Sequence, residues 1–314
     1  MKVAFIDRVH TVLQKGLEAE GIECIDFTDS SLDDIKKEIS SFQGLVVRSR
    51  FPVDRDFLES CSSLEFIARS GAGMENIDVN YCEANGIELF NAPEGNRNAV
   101  AEHALGMLLS LFNKLHSAHA EVQSGKWDRE GNRGIELDGK SVGIIGYGNN
   151  GSAFARKLRG FEVDVLAYDK YKTGFGNDDV IESKLEDILD RCDVVSLHIP
   201  QNEETLGLIN REFIQKMTHP FYLINLSRGK IVETRALLDG LKEGKVLGAC
   251  LDVLEFEKSS FEQMFDGDLD ETFRTLLKSE QVILSPHVGG WTEESYYKLS
   301  KVLLDKVLSH YRLG

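Results

Sequence analysis

The chain has 314 residues, with 36 basic and 52 acidic side chains and a formal net charge of −16. This excess of negative charge disfavours contact with the phosphates of nucleic acids or with anionic lipid, so we expect neither a nucleic acid nor a membrane as partner. Apolar residues make up 42% and charged residues 28% of the chain, which is typical of a folded globular protein. The length predicts two domains, each with its own hydrophobic core.

The five cysteines stand far apart and form no CxxC pair, which predicts neither a zinc cluster nor a disulfide framework and favours a reducing compartment. His116 and His119 lie three residues apart on a predicted helix, but no third ligand accompanies them, so we expect no metal. The most apolar stretch, Ala104–Phe112, is too short to cross a bilayer, and the N-terminus meets Asp7 after four apolar residues. The sequence therefore predicts a soluble, cytoplasmic protein.

Short runs rich in β-branched residues alternate with longer helical patterns along the whole chain, which is typical of parallel α/β units. Strands are predicted at Val3–Ile6, Gly44–Val47, Leu64–Ala68, Val142–Ile145, Val163–Ala167, Val194–Leu197, Tyr222–Asn225 and Val282–Leu284. Helices are predicted at Asp54–Ser60, Val100–Val122, Gly151–Leu158, Thr234–Glu243 and Glu293–Tyr311. The apolar face of the helix over 100–122 is longer than one small sheet needs. We expect this face to pack between domains or against a second subunit, with an internal core helix as the alternative.

A Gly-x-Gly-x-x-Gly pattern follows the predicted strand Val142–Ile145 and precedes a helix and a further strand that ends at Asp169. Its glycines are Gly146, Gly148 and Gly151. The first allows a tight turn, the second leaves room for a pyrophosphate, and the third allows close packing of helix and strand, while the helix N-terminus attracts the phosphates. A carboxylate at Asp169 would accept hydrogen bonds from the adenosine ribose and repel a 2′-phosphate. We therefore predict NAD rather than NADP, although Lys170 and Lys172 follow closely.

Three polar residues follow later strands, at the carboxyl ends where α/β enzymes keep their chemistry. They are Arg228, Glu257 and His287. An arginine can bind a substrate carboxylate through two N–H groups and orient the adjacent carbonyl. A histidine can exchange a proton at the carbonyl or alcohol oxygen, and a glutamate on its second ring nitrogen fixes its tautomer and favours its protonated form. Together the three residues predict hydride transfer on a 2-oxo acid, whereas each alone is more often an ion pair, a solvated carboxylate or a capped turn.

Motifs over almost the entire chain resemble those of the D-isomer-specific 2-hydroxyacid dehydrogenases, the family of D-3-phosphoglycerate dehydrogenase, glyoxylate/hydroxypyruvate reductase and D-lactate dehydrogenase. The motifs are Val47–Ser49, Ser70–Asp78, Asn91–Pro93, Ala99–His103, the glycine loop with Asp169, Asp193–Pro200, Asn225–Gly229, Leu251–Val253 and Ser285–Gly290. The resemblance implies two Rossmann-like or flavodoxin-like α/β domains with parallel sheets, flanking a catalytic cleft. It implies a discontinuous substrate-binding domain, residues 1–98 with 288–314, an NAD-binding domain, residues 99–287, and a homodimer.

The resemblance also implies roles for individual residues. Arg228, Glu257 and His287 would be catalytic. The expected cofactor-binding residues are Gly146, Tyr147, Gly148, Asn149, Asn150, Gly151, Asp169, His198, Ile199, Pro200, Thr205, Ser227, Asp252 and Gly289. Small residues at 71–73 would present backbone amides to the substrate carboxylate, with a tight structural turn as the alternative. The expected substrate-binding residues are Arg48, Ser49, Gly71, Ala72, Gly73 and Asn96.

The chain departs from the family pattern after Glu257, where Lys258 stands in place of the usual proline and an acidic stretch, residues 266–271, lengthens the following segment. Glu255 is a rival for the carboxylate role. We prefer Glu257 because its spacing from Arg228 is the one that the family motif implies.

Charge directs the expectation about the substrate. Four arginines around the expected site are Arg48, Arg50, Arg69 and Arg97. They suit a doubly charged acid, although surface ion pairs explain them nearly as well. We expect activity on 3-phosphoglycerate or a related small 2-hydroxy or 2-oxo acid, with reduction of glyoxylate or hydroxypyruvate as the second choice. Trp291 stands near His287 in the sequence and either narrows the substrate pocket or packs against the last helix.

Two further expectations concern regulation and class. The chain ends soon after His287, so we expect neither a regulatory domain nor feedback by serine. An alternative function from another class is an NAD-sensing binding protein, like the transcriptional corepressors that share this fold.

Overall fold

The computed structural model describes residues 1–257 and 270–312. These residues form two compact units, residues 1–97 with 291–312 and residues 98–257 with 270–290. Lys258 and most of the acidic stretch lie outside the described residues. Within the described ranges, no helix combines the length and the apolar character that a membrane span requires.

The described residues alternate between strands and helices along the chain. The strands are β1 (Lys2–Phe5), β2 (Glu23–Asp26), β3 (Gly44–Val47), β4 (Phe66–Arg69), β5 (Glu88–Asn91), β6 (Ser141–Ile145), β7 (Asp164–Tyr168), β8 (Ile181–Glu182), β9 (Val194–Leu197), β10 (Phe221–Asn225), β11 (Val246–Leu251) and β12 (Val282–Leu284). The helices are α1 (Thr11–Ala19), α2 (Leu32–Glu38), α3 (Arg55–Leu58), α4 (Val79–Ala84), α5 (Pro93–Phe112), α6 (Leu115–Gln123), α7 (Asn149–Lys157), α8 (Leu185–Arg191), α9 (Arg211–Lys216), α10 (Thr234–Lys242), α11 (Glu271–Leu277) and α12 (Glu293–Tyr311).

The first unit is built on a parallel sheet with the strand order β2-β1-β3-β4-β5. Polar side chains start its short helices: Ser31 caps α2, Asp54 caps α3 and Asp78 caps α4, each by accepting a backbone N–H of the first turn. Separate hydrophobic clusters cover the two faces of the sheet. The strand order reverses between β1 and β3, so ligands are expected beyond the carboxyl ends of these two strands.

The second unit is built on a parallel sheet with the order β12-β11-β10-β9-β6-β7-β8. This is the dinucleotide-binding arrangement of strands, extended by one strand at the β12 edge, and its order reverses between β6 and β9. The glycine loop follows β6 and therefore lies at that reversal. Asn225, Leu251 and Leu284 lie level across β10, β11 and β12, so the loops that leave these strands begin at one edge of the sheet.

The predicted α/β class with two parallel sheets is confirmed. Strands β2, β5 and β8 were not predicted, because they lie toward the sheet edges with partly exposed residues and lack a long apolar run. The strand expected to precede Glu257, over residues 251–254, is wrong in its bounds, because β11 runs from Val246 to Leu251. The predictions at Gly44–Val47, Val194–Leu197, Val282–Leu284 and Glu293–Tyr311 agree with the structure at both ends.

The single helix predicted over 100–122 is wrong, because two helices occupy this stretch. Helix α5 ends at Phe112, and Lys114 adopts the left-handed conformation, with φ of 50°, before α6 begins. The carbonyl of Phe112 accepts a hydrogen bond from the amide of Ile135 at 3.0 Å. A distant loop therefore supplies the hydrogen bond that the last carbonyl of α5 needs. The local sequence pattern does not indicate this partner.

Candidate functional site

The glycine loop after β6 is held by two close backbone approaches. Gly146 has φ of +96°, and a Cβ atom there would lie 2.5 Å from the carbonyl oxygen of His198. A Cβ atom at Gly151 would lie 2.0 Å from the carbonyl oxygen of Gly146. Both positions therefore require glycine for the fold of the loop itself.

Gly148 differs from the other two glycines, because a Cβ atom there would meet no atom within 4 Å. The space over this residue is open, as a pyrophosphate next to the backbone would need. Gly148 is also the N-cap of α7, and the amides in the first turn of a helix have no partner within the helix and can bind phosphates. In the same loop Oδ1 of Asn150 is buried without a hydrogen-bond partner among the described residues. Tyr147 and Asn149 complete the loop, and its residues fit the phosphates of a dinucleotide.

Asp169 follows β7, and three backbone amides hold its carboxylate. Oδ2 accepts a hydrogen bond from Tyr147 N at 2.8 Å, and Oδ1 accepts from Tyr171 N at 2.9 Å and Lys172 N at 3.0 Å. Because each carboxylate oxygen has further lone pairs, the group can still accept from ribose hydroxyls in a fixed orientation.

Glu204 neutralises the basic residue beside Asp169. Its carboxylate pairs with Lys170 Nζ at 2.8 Å and accepts a hydrogen bond from the Tyr171 hydroxyl at 2.5 Å. A lysine paired in this way is less able to attract a 2′-phosphate, so the local charges favour NAD.

His198 directly follows β9 and lies next to the glycine loop, and burial lowers the pKa of its imidazole to about 4. The ring is therefore neutral at physiological pH. Its Nε2 atom lies 2.9 Å from Ser196 Oγ. After Ile199 and Pro200, the hydroxyl of Thr205 donates to the Pro200 carbonyl at 2.7 Å and fixes the following turn.

Glu257 and His287 meet in the second unit. Glu257 Oε2 lies 2.8 Å from His287 Nδ1, and Glu257 Oε1 accepts a hydrogen bond from Leu254 N at 2.6 Å. The Glu257 side chain is 15% exposed and the His287 side chain 28%, so the pair is largely shielded from water but a small substrate can still contact the imidazole. Glu255 instead accepts a hydrogen bond from Thr234 N at 2.9 Å, at the start of α10. Glu257 therefore orients His287, whereas Glu255 binds the first amide of α10.

Asp252 lies directly beneath the turn that carries His287. Its side chain is buried, Oδ1 accepts from Ser285 Oγ at 2.5 Å and from Val288 N at 2.9 Å, and Oδ2 accepts from Gly289 N at 2.7 Å. Asp252 and Gly289 were expected to bind the cofactor. In this structure the Gly289 amide donates to the Asp252 carboxylate, and this hydrogen bond fixes the turn.

Arg228 follows β10 at the same sheet edge. A Cβ atom on the next residue, Gly229, would lie 1.9 Å from the carbonyl oxygen of Leu254, so glycine lets this loop pack directly on the loop that carries Glu257. Arg228 Nη1 donates to the carbonyl of Ser227 at 2.7 Å. The hydroxyl of Ser227, expected to contact the cofactor, donates to Asn225 Oδ1 at 2.8 Å and is buried.

The expected substrate residues lie in the first unit, where Arg48 follows β3. Its amide donates to Asp7 Oδ2 at 2.5 Å, and its guanidinium carbon lies 3.4 Å from the ring centroid of Trp291. Burial raises the pKa of the Asp7 carboxyl, which the amides of Arg48 and Arg50 partly offset. Ser49 is half-buried beside them. The Trp291 indole restrains the guanidinium plane of Arg48 through this cation–π contact.

Arg50 differs from the expectation of a substrate-facing charge. Its guanidinium donates to the backbone carbonyls of Ile6, Phe27 and Ser30 at 3.3, 3.2 and 2.8 Å. These bonds join three loops of the first unit, so Arg50 has a structural task.

The turn at 71–73 offers fewer amides than expected. The amide of Gly71 donates to the carbonyl of Arg69 at 2.8 Å, whereas no hydrogen bond among the described residues uses the amides of Ala72 and Gly73. The Ala72 carbonyl accepts from Asn91 Nδ2 at 2.7 Å, which fixes the turn. Oδ1 of Asn96 is buried without a hydrogen-bond partner among the described residues, as expected of a group that contacts a ligand.

Sequence reasoning missed Asp7, Glu204 and His103. Asp7 is a carboxylate placed just after a buried strand, a signal that the sequence offered. Glu204 pairs with a residue 34 positions away, and His103 reaches Ser285 across 182 positions, so no local pattern could have paired them.

Comparisons with known proteins identify the family that the chain resembles. The model for the family "D-isomer specific 2-hydroxyacid dehydrogenase, NAD binding domain" matches residues 105–289. D-3-phosphoglycerate dehydrogenase of Archaeoglobus fulgidus is 33% identical over 312 residues, which cover 98% of this chain and 57% of that protein. Hydroxypyruvate reductase of Thermotoga maritima is 35% identical over 276 residues, which cover 88% of this chain and 87% of that protein.

A solved structure gives the same result for the fold. D-lactate dehydrogenase from Aquifex aeolicus, complexed with NAD and lactic acid, superposes with a TM-score of 0.83 at 26% identity and covers 99% of this chain and 96% of that one. The chain spans little more than half the length of the D-3-phosphoglycerate dehydrogenases of Archaeoglobus fulgidus and Bacillus subtilis.

Proposed function

This chain belongs to the D-isomer-specific 2-hydroxyacid dehydrogenase family, and we propose that it is an NAD-dependent oxidoreductase that interconverts a D-2-hydroxy acid and its 2-oxo acid. The observation that carries the proposal is the 2.8 Å contact between Glu257 Oε2 and His287 Nδ1, on loops that leave neighbouring strands beside the loop of Arg228. NAD(H), when bound, supplies the hydride acceptor or donor.

The three side chains divide the remaining work. With Nδ1 of His287 held by Glu257, the proton exchanged with the substrate oxygen is the one on Nε2. Glu257 balances the positive charge of the imidazolium and fixes its orientation. Arg228 binds the carboxylate and polarises the adjacent carbonyl through its planar N–H groups.

The two units take different tasks in this proposal. Residues 99–287 would form the NAD-binding domain, since the glycine loop, Asp169 and His198 lie there. Residues 1–98 with 288–314 would bind the substrate carboxylate through Arg48, Ser49, the amides of residues 72 and 73, and Asn96. Support comes from the Oδ1 atom of Asn96 and from the amides of residues 72 and 73, none of which has a hydrogen-bond partner among the described residues.

We propose a phosphorylated acid such as 3-phosphoglycerate as the substrate, with glyoxylate or hydroxypyruvate reduction as the second choice. Arg48, Arg69 and Arg97 supply positive charge in the first unit of a protein whose net charge is −16. The phosphoglycerate dehydrogenase of Archaeoglobus fulgidus supports the first choice. The reductase of Thermotoga maritima, which is matched over most of its length, supports the second.

Steady-state assays over D-2-hydroxy acids with NAD, and over 2-oxo acids with NADH, test the proposal. We expect turnover with at least one acid and a loss of about 100-fold or more in kcat for His287→Asn, because the proton donor is removed. Equal kcat/KM for phosphorylated and unphosphorylated acids would refute the substrate choice alone. An Arg228→Ala protein with unchanged turnover would refute the catalytic assignment and favour a binding role.

We also propose that the protein is a homodimer. A groove of about 700 Å³ in the second unit runs along α6, the end of α5 and the start of β12. Ile135 and Leu247, which line the groove, are exposed, and so are Leu115 and Val122 on α6 and Trp127 shortly after α6. A second copy of the chain would cover this apolar surface, as the family resemblance implies. Light scattering of the wild type at micromolar concentration should give twice the chain mass, and Val122→Glu should give a monomer.

A cytoplasmic location completes the proposal. All five cysteines are free thiols in the structure, and four of them are buried. Unpaired cysteines suit a reducing compartment. Cell fractionation that recovers the protein with secreted material would contradict this assignment.

A further inference from the structure

A second histidine reaches the turn that carries His287. His103 lies on α5, and its Nε2 atom lies 2.9 Å from Ser285 Oγ and 3.7 Å from Asp252 Oδ1. All these residues belong to the second unit. The His103 side chain is 30% exposed and that of Asp252 only 3%, so the carboxylate depends on protein groups for its hydrogen bonds.

The direction of the hydrogen bonds follows from the donors available. Asp252 as a carboxylate can only accept, so the short contact with Ser285 uses the single hydroxyl proton of the serine. Met107 Sδ, at 3.7 Å from Ser285 Oγ, has no proton to donate, so Ser285 Oγ must accept from His103, and His103 Nε2 carries the proton of that bond. His103 Nε2–H, Ser285 Oγ–H and Asp252 Oδ1 therefore form one directed chain.

That chain ends on the group that shapes the catalytic turn. His287 has φ of 54°, a left-handed conformation that a residue with a side chain keeps only when its surroundings hold it. Asp252 supplies the restraint, because its carbonyl accepts from His287 N at 2.8 Å and its carboxylate accepts from the amides of Val288 and Gly289. A shift of this carboxylate would therefore change the direction of the His287 ring.

We propose that His103 is a positioning residue for proton transfer at His287, acting through Ser285 and Asp252. By donating to Ser285, His103 directs the serine proton onto Asp252 and fixes the carboxylate that clamps the turn. The inference rests on the proposed dehydrogenase function for its effect on rate. Its structural part, the control of His287 orientation from α5, can be measured without turnover.

Three variants test the chain of bonds. His103→Leu removes the donor, Ser285→Ala removes the link with a smaller change in volume, and His103→Gln keeps an N–H donor at a similar reach. We expect kcat for the preferred acid to fall about tenfold in the first two variants, because a misoriented His287 ring slows proton transfer by about this factor. The KM and Kd for NADH should stay within about twofold, and His103→Gln should recover most of the rate. His219→Leu, at an exposed histidine on the loop after α9, is the matched control and should behave as wild type.

The double variant separates a shared pathway from two unrelated lesions. If His103 acts through Ser285, the combination of His103→Leu with Ser285→Ala should be no slower than the worse single variant. Multiplied losses in kcat would overturn the proposal. Equal rates for His103→Leu and wild type would overturn it as well, and so would a Gln variant as slow as the Leu variant. Should His103→Leu fail to fold, Ser285→Ala carries the same comparison.

Nuclear magnetic resonance of histidine-labelled protein gives a readout besides activity. The Nδ1–H proton of His287, hydrogen-bonded to Glu257, should shift in His103→Leu and in Ser285→Ala and stay in place in His103→Gln and His219→Leu. An unmoved signal in the first two variants would refute the inference. A wild type without turnover on any acid would refute the proposed function, and the signal would then decide the inference on its own.

Discussion

Gly148 and Gly151 occupy the same loop, but the structure gives them different reasons to be glycine. A Cβ atom at 151 would lie 2.0 Å from the Gly146 carbonyl oxygen, whereas one at 148 would meet nothing within 4 Å. Alanine at these two positions therefore separates a requirement of the fold from a requirement of the ligand. Gly106 on α5 provides a control, because its Cβ position is also open but lies outside the glycine loop.

The expected magnitudes follow from these contacts. Gly151→Ala must push α7 away from the loop by more than an ångström, and overpacking of this kind typically costs about 1–3 kcal/mol of unfolding free energy. Gly148→Ala should change that free energy by no more than about 0.5 kcal/mol, since the added methyl group has room. The same methyl would occupy the space proposed for the pyrophosphate and displace backbone hydrogen bonds to a charged group. Each such bond contributes about 1.5–3 kcal/mol, so Kd for NADH should rise about 10- to 100-fold.

Two assays measure these effects separately. Chemical denaturation gives the free energy of unfolding, and fluorescence titration with NADH gives Kd for each variant. Gly106→Ala should leave Kd unchanged and should not lower stability, because alanine favours a helix. A Gly148→Ala protein that binds NADH like the wild type would refute the proposed position of the phosphates. A Gly151→Ala protein as stable as the wild type would refute the packing argument.

Three further predictions rest on named contacts. Glu257→Gln should lower kcat about 100-fold by leaving the His287 imidazolium without its countercharge, while Glu255→Gln should leave kcat near wild type and cost about 1 kcal/mol of unfolding free energy as a helix cap. Steady-state rates and denaturation curves distinguish these outcomes, and equal loss of kcat in both variants would contradict the assignment. Burial lowers the pKa of His198 from its ordinary 6.5 to about 4, so the unfolded chain binds a proton more readily in this range and stability falls as the pH drops from 6.5 to 4. The loss of unfolding free energy amounts to about 3 kcal/mol once His198 is fully titrated. Denaturation at pH 7 and pH 4.5 should show a smaller drop in unfolding free energy for His198→Gln than for wild type. Equal drops would refute the assignment of this pH dependence to His198. Burial raises the pKa of the cysteine thiols, so iodoacetamide at pH 7.5 should leave turnover of the folded protein intact, and rapid inactivation by one equivalent would show an unrecognised reactive thiol.

Local signals in the sequence were sufficient where one segment carries the whole message. The strands at 44–47 and 194–197 are short apolar runs buried on both faces, and they agree with the structure at both ends, as does the partly buried run at 282–284. The glycine pattern with Asp169 likewise contains its own context of strand, turn, helix and strand. Edge strands such as β2 and β8 have only partial burial, so their residues carry no comparable apolar signal.

The break between α5 and α6 shows the limit of a local pattern. Residues 100–122 have a continuous helical periodicity, but Ile135 donates to the Phe112 carbonyl and Lys114 turns left-handed. A hydrogen bond from a residue 23 positions away outweighs the helix propensity of the segment. Only the folded chain reveals such a partner.

The amino-acid sequence determined the α/β class, the family, the glycine loop and the identity of the three residues proposed for catalysis, because each of these is written in residue type and spacing along the chain. The tertiary structure decided how the charged groups are used. It placed Glu257 on His287 and Glu255 on the start of α10, turned Arg50 toward backbone carbonyls, and joined His103 to the catalytic turn. A hydrogen bond forms only when its donor and acceptor lie about 3 Å apart. These pairings join residues far apart in the chain, so only the folded structure brings their atoms to that distance.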